Sequence, residues 1–373
     1  MGRSSYKRLG DYIQPVDIRN KDNEVDKLVG LTIDKAFIDS VANTIGTDLS
    51  KYKIIEAEQL ACSLMQVSRD GKMPIAMYAR GEKAILSPAY SMFEVIDKSE
   101  LLPSYLMMWF RRSEFDREAS FYAVGGVRGS LLWEDFLDFR LPIPAIEEQR
   151  EIVAQYEAIT RRIALNERIC ANLEETAQAL YNKMFVQGID PDNLPDGWRM
   201  GTLDEIAKIV MGQSPDGSTY NELGEGVIFF QGRTDFGFRF PSIRMYTTQP
   251  TRMASENDIL ISVRAPVGDL NISLYKCCIG RGLASIRSKE SNTSFLLYTL
   301  KYYEGYFGSL NDDGTIFGSI NKETLSGMPI VIPTEGLVKE FETTAKAIDS
   351  KIKNALMTNR VLENIRRLLL SKL

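Results

Sequence analysis

The sequence predicts an α+β protein in which one unit occurs twice, each copy being a globular domain of mixed strands and helices followed by a long helix. Three observations carry this prediction: short motifs recur at one offset, an apolar heptad pattern follows each globular stretch, and buried-strand patterns punctuated by glycine fill those stretches. We therefore predict globular domains at 1–145 and 188–333, and long helices at 146–187 and 334–373.

Two motifs establish the repeat. Residues 127–131 (VRGSL) reappear as 316–320 (IFGSI), and residues 141–144 (LPIP) reappear as 330–333 (IVIP). Each second copy lies 189 positions after the first, since 318 minus 129 and 333 minus 144 give the same number. A constant offset of this kind indicates a duplicated unit.

The globular stretches contain the same kinds of element. In the second domain, strands are predicted at 258–263, 275–279 and 284–286, and a helix at 295–306. In the first domain, strands are predicted at 60–67, 75–78 and 91–96, a turn at 69–72 and a helix at 105–115. Residues 188–197 are dense in Gly, Pro and Asp, which predicts a linker.

A heptad pattern follows each Ile-Pro pair. Pro144 fixes φ just ahead of Glu147 and Glu148, whose charge suits the positive end of a helix dipole. From Ile152 the seam positions alternate in steps of four and three, and adding 189 gives a second seam in the same register. We predict two antiparallel coiled-coil helices of about 40 residues, each about 60 Å long. Two unrelated helices on separate domains would not share the offset. The predicted core of the helix pair is Ile152, Tyr156, Ile159, Ile163, Leu173, Leu180, Phe341, Ile348, Ile352, Leu362 and Leu369.

Asn166 and Asn359 fall within the two seams. A polar residue there costs stability and can fix the pairing partner or the register. Alanines beside the seam, such as Ala158, Ala164 and Ala347, leave small-residue faces. These faces either admit helices of another protein or only reflect the helix propensity of alanine, and both interpretations stay open.

Composition narrows the chemistry. The chain has no histidine among its 373 residues, which excludes Ser-His-Asp and Cys-His catalysis, HExxH metal sites and histidine-metal nucleases from its own side chains. Cys62, Cys170, Cys277 and Cys278 show no CxxC spacing and are predicted to be buried, reduced thiols. No apolar run of about 18 residues and no signal core occur, so a folded cytoplasmic protein is expected.

The formal net charge of −5 hides a cationic stretch. Between Ile228 and Lys289 there are nine arginines and lysines against four acidic residues. Such a stretch indicates either a nucleic-acid surface or an ordinary solvated face, and charge alone favours neither.

Several motifs resemble those of the specificity subunits of type I restriction enzymes. The similar segments are the entry to a target-recognition domain (194–198, LPDGW), an early loop (212–215, GQSP), a central strand (258–262, DILIS) and a helix entry (143–149). The resemblance covers nearly the whole chain and occurs twice in the same order. It departs at the edges: residues 6–11 have no Pro-x-Gly-Trp lead, and the helix after Thr334 begins without Glu-Gln.

The resemblance implies a chain that reads DNA and does not react with it. Each globular domain would be a target-recognition domain for one half of an asymmetric, bipartite DNA target. The helices would set a fixed spacer, with half-sites about one helical turn, roughly 10 bp, apart. They would also dock two methyltransferase subunits and, through the complex, restriction and translocase subunits of a prokaryotic, cytoplasmic system. No cofactor is expected on this chain, and S-adenosylmethionine, ATP and Mg are expected on the partner subunits.

Candidate DNA contacts come from the basic and glycine-bounded loops, because arginine suits guanine edges and glutamine suits adenine. In the second domain they are Gln213, Ser214, Gln231, Arg233, Arg239, Arg264 and Arg281, with Tyr220 and Lys276 as phosphate or sugar contacts. In the first domain they are Arg69, Lys72, Arg80 and Lys83. The alternative for each one is a surface salt bridge. No catalytic residue or metal ligand is predicted.

Two other classes of protein compete with this interpretation. A methyltransferase fused to a recognition domain would need a cofactor loop and an Asn/Asp-Pro-Pro-Tyr/Phe motif. Residues 190–192 lack the second proline and the aromatic residue, and 125–129 lack the end of a phosphate loop. A coiled-coil interaction protein without a DNA role would not show the steep salt dependence of phosphate contacts.

Overall fold

The computed structural model describes residues 6–40, 46–65, 67–123, 129–307 and 319–373. Of the repeated motifs, 127–128 and 316–318 lie outside the described residues, as do residues 125–126. The chain divides into two compact units, Met1–Leu165 with Thr358–Leu373, and Asn166–Met357. Each unit therefore holds one globular domain and part of each long helix.

The first unit is built on a four-stranded antiparallel sheet. Its strands are β1 (Lys7–Arg8), β2 (Ile13–Pro15), β3 (Val29–Leu31), β4 (Phe37–Asp39), β5 (Lys53–Ile55), β6 (Leu60–Cys62), β7 (Ile75–Met77), β8 (Ala84–Leu86), β9 (Ser91–Val95) and β10 (Arg140–Leu141). Its helices are α1 (Val67–Asp70), α2 (Pro103–Phe110), α3 (Ser113–Ala123) and α4 (Trp133–Leu137). The main sheet has the order β2-β9-β6-β7, and the apolar helix α2 belongs to the same hydrophobic core.

The second unit repeats this sheet and adds another. Its strands are β11 (Arg199–Thr202), β12 (Ala207–Met211), β13 (Tyr220–Asn221), β14 (Val227–Phe230), β15 (Met245–Thr247), β16 (Met253–Ala254), β17 (Ile259–Ser262), β18 (Leu270–Ile272), β19 (Cys277–Ile279), β20 (Leu283–Ser288) and β21 (Pro329–Ile332). The long helices are α5 (Ile146–Phe185) and α9 (Glu335–Ser371), and the shorter ones are α6 (Leu203–Ile206), α7 (Thr293–Tyr302) and α8 (Lys322–Ser326). The order β12-β20-β17-β18 is that of the first unit again, and β13-β15-β14-β19-β16 forms the added sheet.

One hydrogen bond occurs in both copies. The Leu131 N–H donates to Leu64 O at 2.9 Å, and the Ile320 N–H donates to Val263 O at 3.0 Å. The donors, Leu131 and Ile320, are 189 positions apart, as the motifs are, whereas the acceptors, Leu64 and Val263, are 199 positions apart because the loops between differ in length. The predicted tandem α+β repeat is confirmed.

The long helices contact each other in the same way in each unit. In the second unit the Cys170 thiol lies 3.8 Å from Ile352 O, and in the first the Asn359 Nδ2 donates to Ile163 O at 3.2 Å. Both residues of the second pair are related to the first by the 189-residue offset. Within the second unit, Tyr181 lies beyond Cys170 and its ring is 5.8 Å from Phe341, so the helices run antiparallel.

All predicted positions of the helix-pair core are buried or half-buried. Three further residues of α5 that the predicted seam did not include are also buried, namely Val153, Tyr181 and Phe185. The Phe185 ring lies 5.2 Å from the ring of Phe295 in α7. The long helices therefore pack on the globular domains as well as on each other.

Three predicted elements differ from the structure. The helix predicted over 295–306 begins at Thr293 and ends at Tyr302. The helix predicted over 105–115 is two helices, because the N–H groups of Arg111 and Arg112 bond back to the last turn of α2 and end it. The strand predicted over 60–67 ends at Cys62, and Val67 begins a short helix.

The predicted thiols are confirmed, since all four cysteines are buried and free, and burial raises the pKa of Cys277 to about 11. No helix in the described part of the chain has the length and hydropathy needed to cross a bilayer.

Candidate nucleic-acid interface

Loops that leave both sheets of the second unit meet at one edge. The Gly212 N–H, just after β12, donates to Leu283 O at the start of β20 (2.9 Å). The Val263 N–H, just after β17, donates to Gly282 O at 2.9 Å. The Gly280 N–H donates to the last carbonyl of β14 at 2.8 Å. We call this set the loop cluster, defined as residues 212–215, 231–233, 263–264 and 280–282.

Glycine is required where these loops touch. A Cβ on Gly212 would lie 2.1 Å from Gly280 O, and a Cβ on Gly280 would lie 2.9 Å from Gln231 O. Both obstacles are main-chain atoms, which cannot retreat without breaking the sheet ladders. The glycines therefore set how closely the loops approach each other.

Six of the contacts predicted for the second domain lie in the loop cluster, namely Gln213, Ser214, Gln231, Arg233, Arg264 and Arg281. All of them except the half-buried Ser214 are exposed. Ser214 Oγ accepts from the Arg281 N–H at 3.2 Å, and the Gln213 N–H donates to Ile279 O at 3.0 Å. The main chain is thus fixed while the long side chains remain exposed.

Positive charge in the loop cluster is only partly neutralised. Arg233 forms an ion pair with Asp269. Among the described residues, no carboxylate lies within 4.0 Å of the guanidinium of Arg264 or Arg281. Two unpaired guanidinium groups beside two glutamine amides can contact guanine and adenine edges as well as phosphate oxygens.

Asp235 holds one of these loops in place and was not singled out from the sequence. It is buried, and its Oδ2 accepts from the N–H groups of Gln231 (2.8 Å) and Gly232 (3.3 Å), while Oδ1 accepts from Arg244 Nε at 3.1 Å. An aspartate that follows a glycine by three residues is a short-range capping signal that could have identified it.

Two other predicted contacts of the second domain, Lys276 and Tyr220, lie outside the loop cluster. Lys276 precedes β19, and Arg281 follows it, so these exposed cations are at opposite ends of one strand. The Tyr220 hydroxyl donates to Pro215 O at 3.0 Å, and its ring lies 4.8 Å from Phe229. That hydroxyl is already bonded within the domain.

Arg239, predicted from the sequence to contact DNA, is buried in the structure, which contradicts an exposed contact position. Only 3% of its side chain is exposed. Its Nη1 donates to Asp349 Oδ1 of α9 at 3.1 Å, its Nη2 donates to the Tyr298 hydroxyl at 3.0 Å, and Glu174 of α5 lies 3.8 Å away. Arg239 is buried because it pairs with carboxylates on both long helices. It therefore anchors the second domain to α5 and α9.

The predicted contacts of the first domain are all exposed or half-exposed and all ion-paired. Arg69 pairs with Asp70 (2.7 Å), Lys72 with Asp34 (3.5 Å), Lys83 with Glu56 (2.8 Å) and Arg80 with Asp39. The neighbouring arginines hold the pKa values of Asp70 and Asp39 below the ordinary range. Arg69 and Lys72 lie between β6 and β7, whereas Arg80 and Lys83 lie between β7 and β8, at the other end of β7.

A family model described as the type I restriction modification DNA specificity domain matches residues 47–175 and 195–359, which is most of the chain. The chain belongs to this family. It is therefore a DNA-specificity subunit of a type I restriction-modification system and not the catalytic component. The two matched segments correspond to the two repeats, each of which contains one globular domain and part of the long helices.

Individual relatives agree with this assignment. A protein of Methanocaldococcus jannaschii assigned as the type I restriction enzyme MjaX specificity subunit is 31% identical over 319 residues, covering 82% of this chain and 74% of its own length. The type I restriction enzyme HindI specificity subunit of Haemophilus influenzae is 27% identical over 225 residues, covering 54% and 47%. The crystal structure of the type I restriction-modification S subunit from M. genitalium has the same fold, with a TM-score of 0.62, 11% identity and coverage of 100% and 96%.

The shared sheet order of this specificity subunit gives equivalent positions in its two target-recognition domains. Because Ile261 pairs with Ala284 as Cys62 pairs with Ser91, loop residues can be matched by register. Counting outwards from the last paired residues of these ladders matches Arg264 with Met65, Arg281 with Pro88, and Gln213 with Arg19.

Arg19 is a basic residue that was not singled out from the sequence, where Asp17 and Asp22 flank it and Lys21. Its Nη1 donates to Lys51 O at 2.7 Å, and its Nε lies 2.8 Å from Asp17 Oδ1. By position it is the first-domain counterpart of an exposed glutamine in the loop cluster.

Proposed function

We propose that this specificity subunit reads an asymmetric bipartite DNA target, with one half-site for each target-recognition domain and a spacer of fixed length. The observation that carries the proposal is the difference between equivalent loop positions on one conserved scaffold. The positions of Arg264 and Arg281 correspond to those of Met65 and Pro88 in the other copy. Because base recognition depends on side-chain donors and acceptors, domains that differ in this way read different half-sites.

The loop cluster supplies the second domain's contacts in this proposal. Arg264 and Arg281 are exposed and have no counter-charge among the described residues, so duplex DNA would meet no competing carboxylate there. Gln213 and Gln231 add amides that both donate and accept, as adenine requires. The first domain would use Arg19, Arg69 and Lys72, each of which must first leave an acidic partner.

The long helices would set the spacer and dock the methyltransferase subunits. The support for docking is an exposed apolar row on α9, formed by Val361, Ile365 and Leu368, which are 58%, 41% and 61% exposed. Their spacing of four and three residues is that of a second heptad seam, which a partner helix would cover. Through the methyltransferases the complex would recruit restriction subunits, and S-adenosylmethionine, ATP and Mg would bind to those partners.

The test is to express the chain with its methyltransferase subunits and to map the methylated sequence in host DNA. We expect two unlike half-sites separated by unspecified bases. A contiguous or palindromic methylated motif would contradict the proposal.

Arg281→Ala should relax one base in one half-site and weaken binding by about 1–3 kcal/mol. Lys276→Ala is the matched control, since it removes an exposed cation at the other end of β19 that also has no carboxylate partner among the described residues. Equal losses of binding in the two variants, with the methylated motif unchanged, would mean that the loop cluster does not read bases.

A further inference from the structure

A cavity in the first unit shares only Lys72 with the candidate DNA contacts described above. It has a volume of about 640 Å³ and lies among the β3–β4 turn, the junction of α2 and α3, and the last turns of α9. Three arginines, Arg111, Arg366 and Arg367, line it, together with an apolar wall that includes Tyr156 and Leu370. A volume of this size is typical of a site for a small organic ligand.

The lysines that line the cavity are already neutralised. Lys35 Nζ lies 2.8 Å from Asp116 Oδ1, and Lys72 Nζ lies 3.5 Å from Asp34 Oδ1. Both aspartates in the wall of the cavity therefore already have a lysine as partner. Glu363 is the remaining carboxylate in its wall.

The three arginines, unlike the lysines, are not paired with carboxylates of the described residues. The Arg111 Nη2 donates weakly to a main-chain carbonyl, that of Lys35 (3.5 Å), and Arg367 donates to the Asn364 side chain. In the described ranges, no carboxylate comes within 4.0 Å of Arg111, Arg366 or Arg367. Three guanidinium groups that converge on one space without counter-ions repel each other, and an anion in that space removes the repulsion.

The wall of the cavity is preformed. Lys35 is buried in the β3–β4 turn, where it pairs with Asp116 of α3 and lies 5.0 Å from the centre of the Phe115 ring. These contacts fix the turn on α3 whether or not a ligand is present. Little ordering cost would therefore accompany binding.

We propose that this cavity binds a phosphate-bearing ligand, with Arg111, Arg366 and Arg367 on its phosphate oxygens. Planar guanidinium groups match phosphate oxygens two at a time, which a lysine ammonium cannot do. The source of the phosphate is either a free nucleotide, whose base would lie on the wall of Tyr156 and Leu370, or the backbone of DNA. The site uses none of the residues of the loop cluster.

The test compares the full-length chain with its Arg111→Ala/Arg367→Ala double variant, titrated with ATP and with inorganic triphosphate by calorimetry. We expect the wild type to bind both probes and the double variant to bind each at least tenfold more weakly. Arg150→Ala is the control, since it removes an exposed arginine of α5 that already pairs with Glu147, and it should bind as the wild type does. Equal melting temperatures would exclude misfolding as the cause.

A second measurement separates the two sources of phosphate. If neither probe binds but the double variant lowers the slope of log affinity for DNA against log salt by about two, the phosphates belong to DNA. The proposal is overturned if probe binding and the DNA salt slope are both the same in the wild type and the double variant.

Discussion

Asp235 and Asp258 are buried carboxylates with similar partners at different ends of the strands of the second unit. Asp235 follows β14 and holds the loop that carries Gln231. Asp258 precedes β17, at the end away from the loop cluster, and accepts from Arg287 Nε at 2.6 Å and from the Ser285 hydroxyl at 2.7 Å. Substituting each residue in turn therefore distinguishes an effect on stability, which both should show, from an effect on DNA recognition, which only Asp235 should show.

Asp235→Asn should destabilise the chain by about 1–3 kcal/mol and also change the sequence read in one half-site. One asparagine oxygen cannot accept from both the loop N–H groups and Arg244, so one set of donors is left without a partner. Asp258→Asn should cost similar stability without changing the half-site. Denaturant unfolding and methylation mapping of both variants test this, and an unchanged half-site in Asp235→Asn would contradict it.

At the scale of elements, each long helix caps a shorter helix of the domain beside it, with a different residue in each copy. In the first unit the Gln149 Oε1 of α5 accepts from the Leu102 N–H at 2.9 Å, just before α2. In the second unit Glu342 of α9 accepts from the N–H groups of Phe295 (2.9 Å) and Ser294 (3.3 Å) at the start of α7. Burial raises the pKa of Glu342 above its ordinary value of 4.5, in spite of these hydrogen bonds.

The free energy of unfolding of the Glu342→Gln variant, relative to that of the wild type, should increase as the pH rises. Because the pKa of Glu342 is raised on folding, the folded chain holds its proton more tightly, and stability is lost as pH rises from about 4.5 through the raised value. Glutamine keeps an acceptor for one of the two N–H groups and does not ionise, as Gln149 shows in the other copy. Unfolding free energies at pH 4.5 and pH 7.5 test this, with Glu342→Ala as a control that loses about 0.5–2 kcal/mol of capping. A difference between Glu342→Gln and wild type that does not vary with pH would contradict it.

The repeat and both long helices could be predicted from the sequence because periodic burial leaves a periodic pattern of residues. The position of individual basic residues could not. Arg239 is one of nine basic residues in the cationic stretch, and only the fold brings it to Glu174 and Asp349, the latter 110 positions away. Lys276 and Arg281 are five positions apart in the sequence, yet the direction of β19 separates them.

At the scale of the whole molecule, the two copies share the scaffold and its helix contacts, whereas their loops differ. The contact of Cys170 with Ile352 O in one unit is matched by that of Asn359 with Ile163 O in the other. The two contacts lie on either side of the unit boundary, which falls after Leu165 in α5 and after Met357 in α9. A change made at the boundary in both helices would leave each unit with its own helix contact.

Inserting seven residues after Leu165 and seven after Met357 should therefore lengthen the DNA spacer and leave both half-sites unchanged. Seven residues are one heptad, which preserves the seam and adds about 10 Å of helix, equivalent to about 3 bp of DNA. Inserting the heptad in α5 alone is the control, since it shifts the helices against each other and should break the pairing that Asn359 and Cys170 mark. Methylation mapping with the double insertion measures the spacer directly, and a spacer of unchanged length would show that the long helices do not determine it.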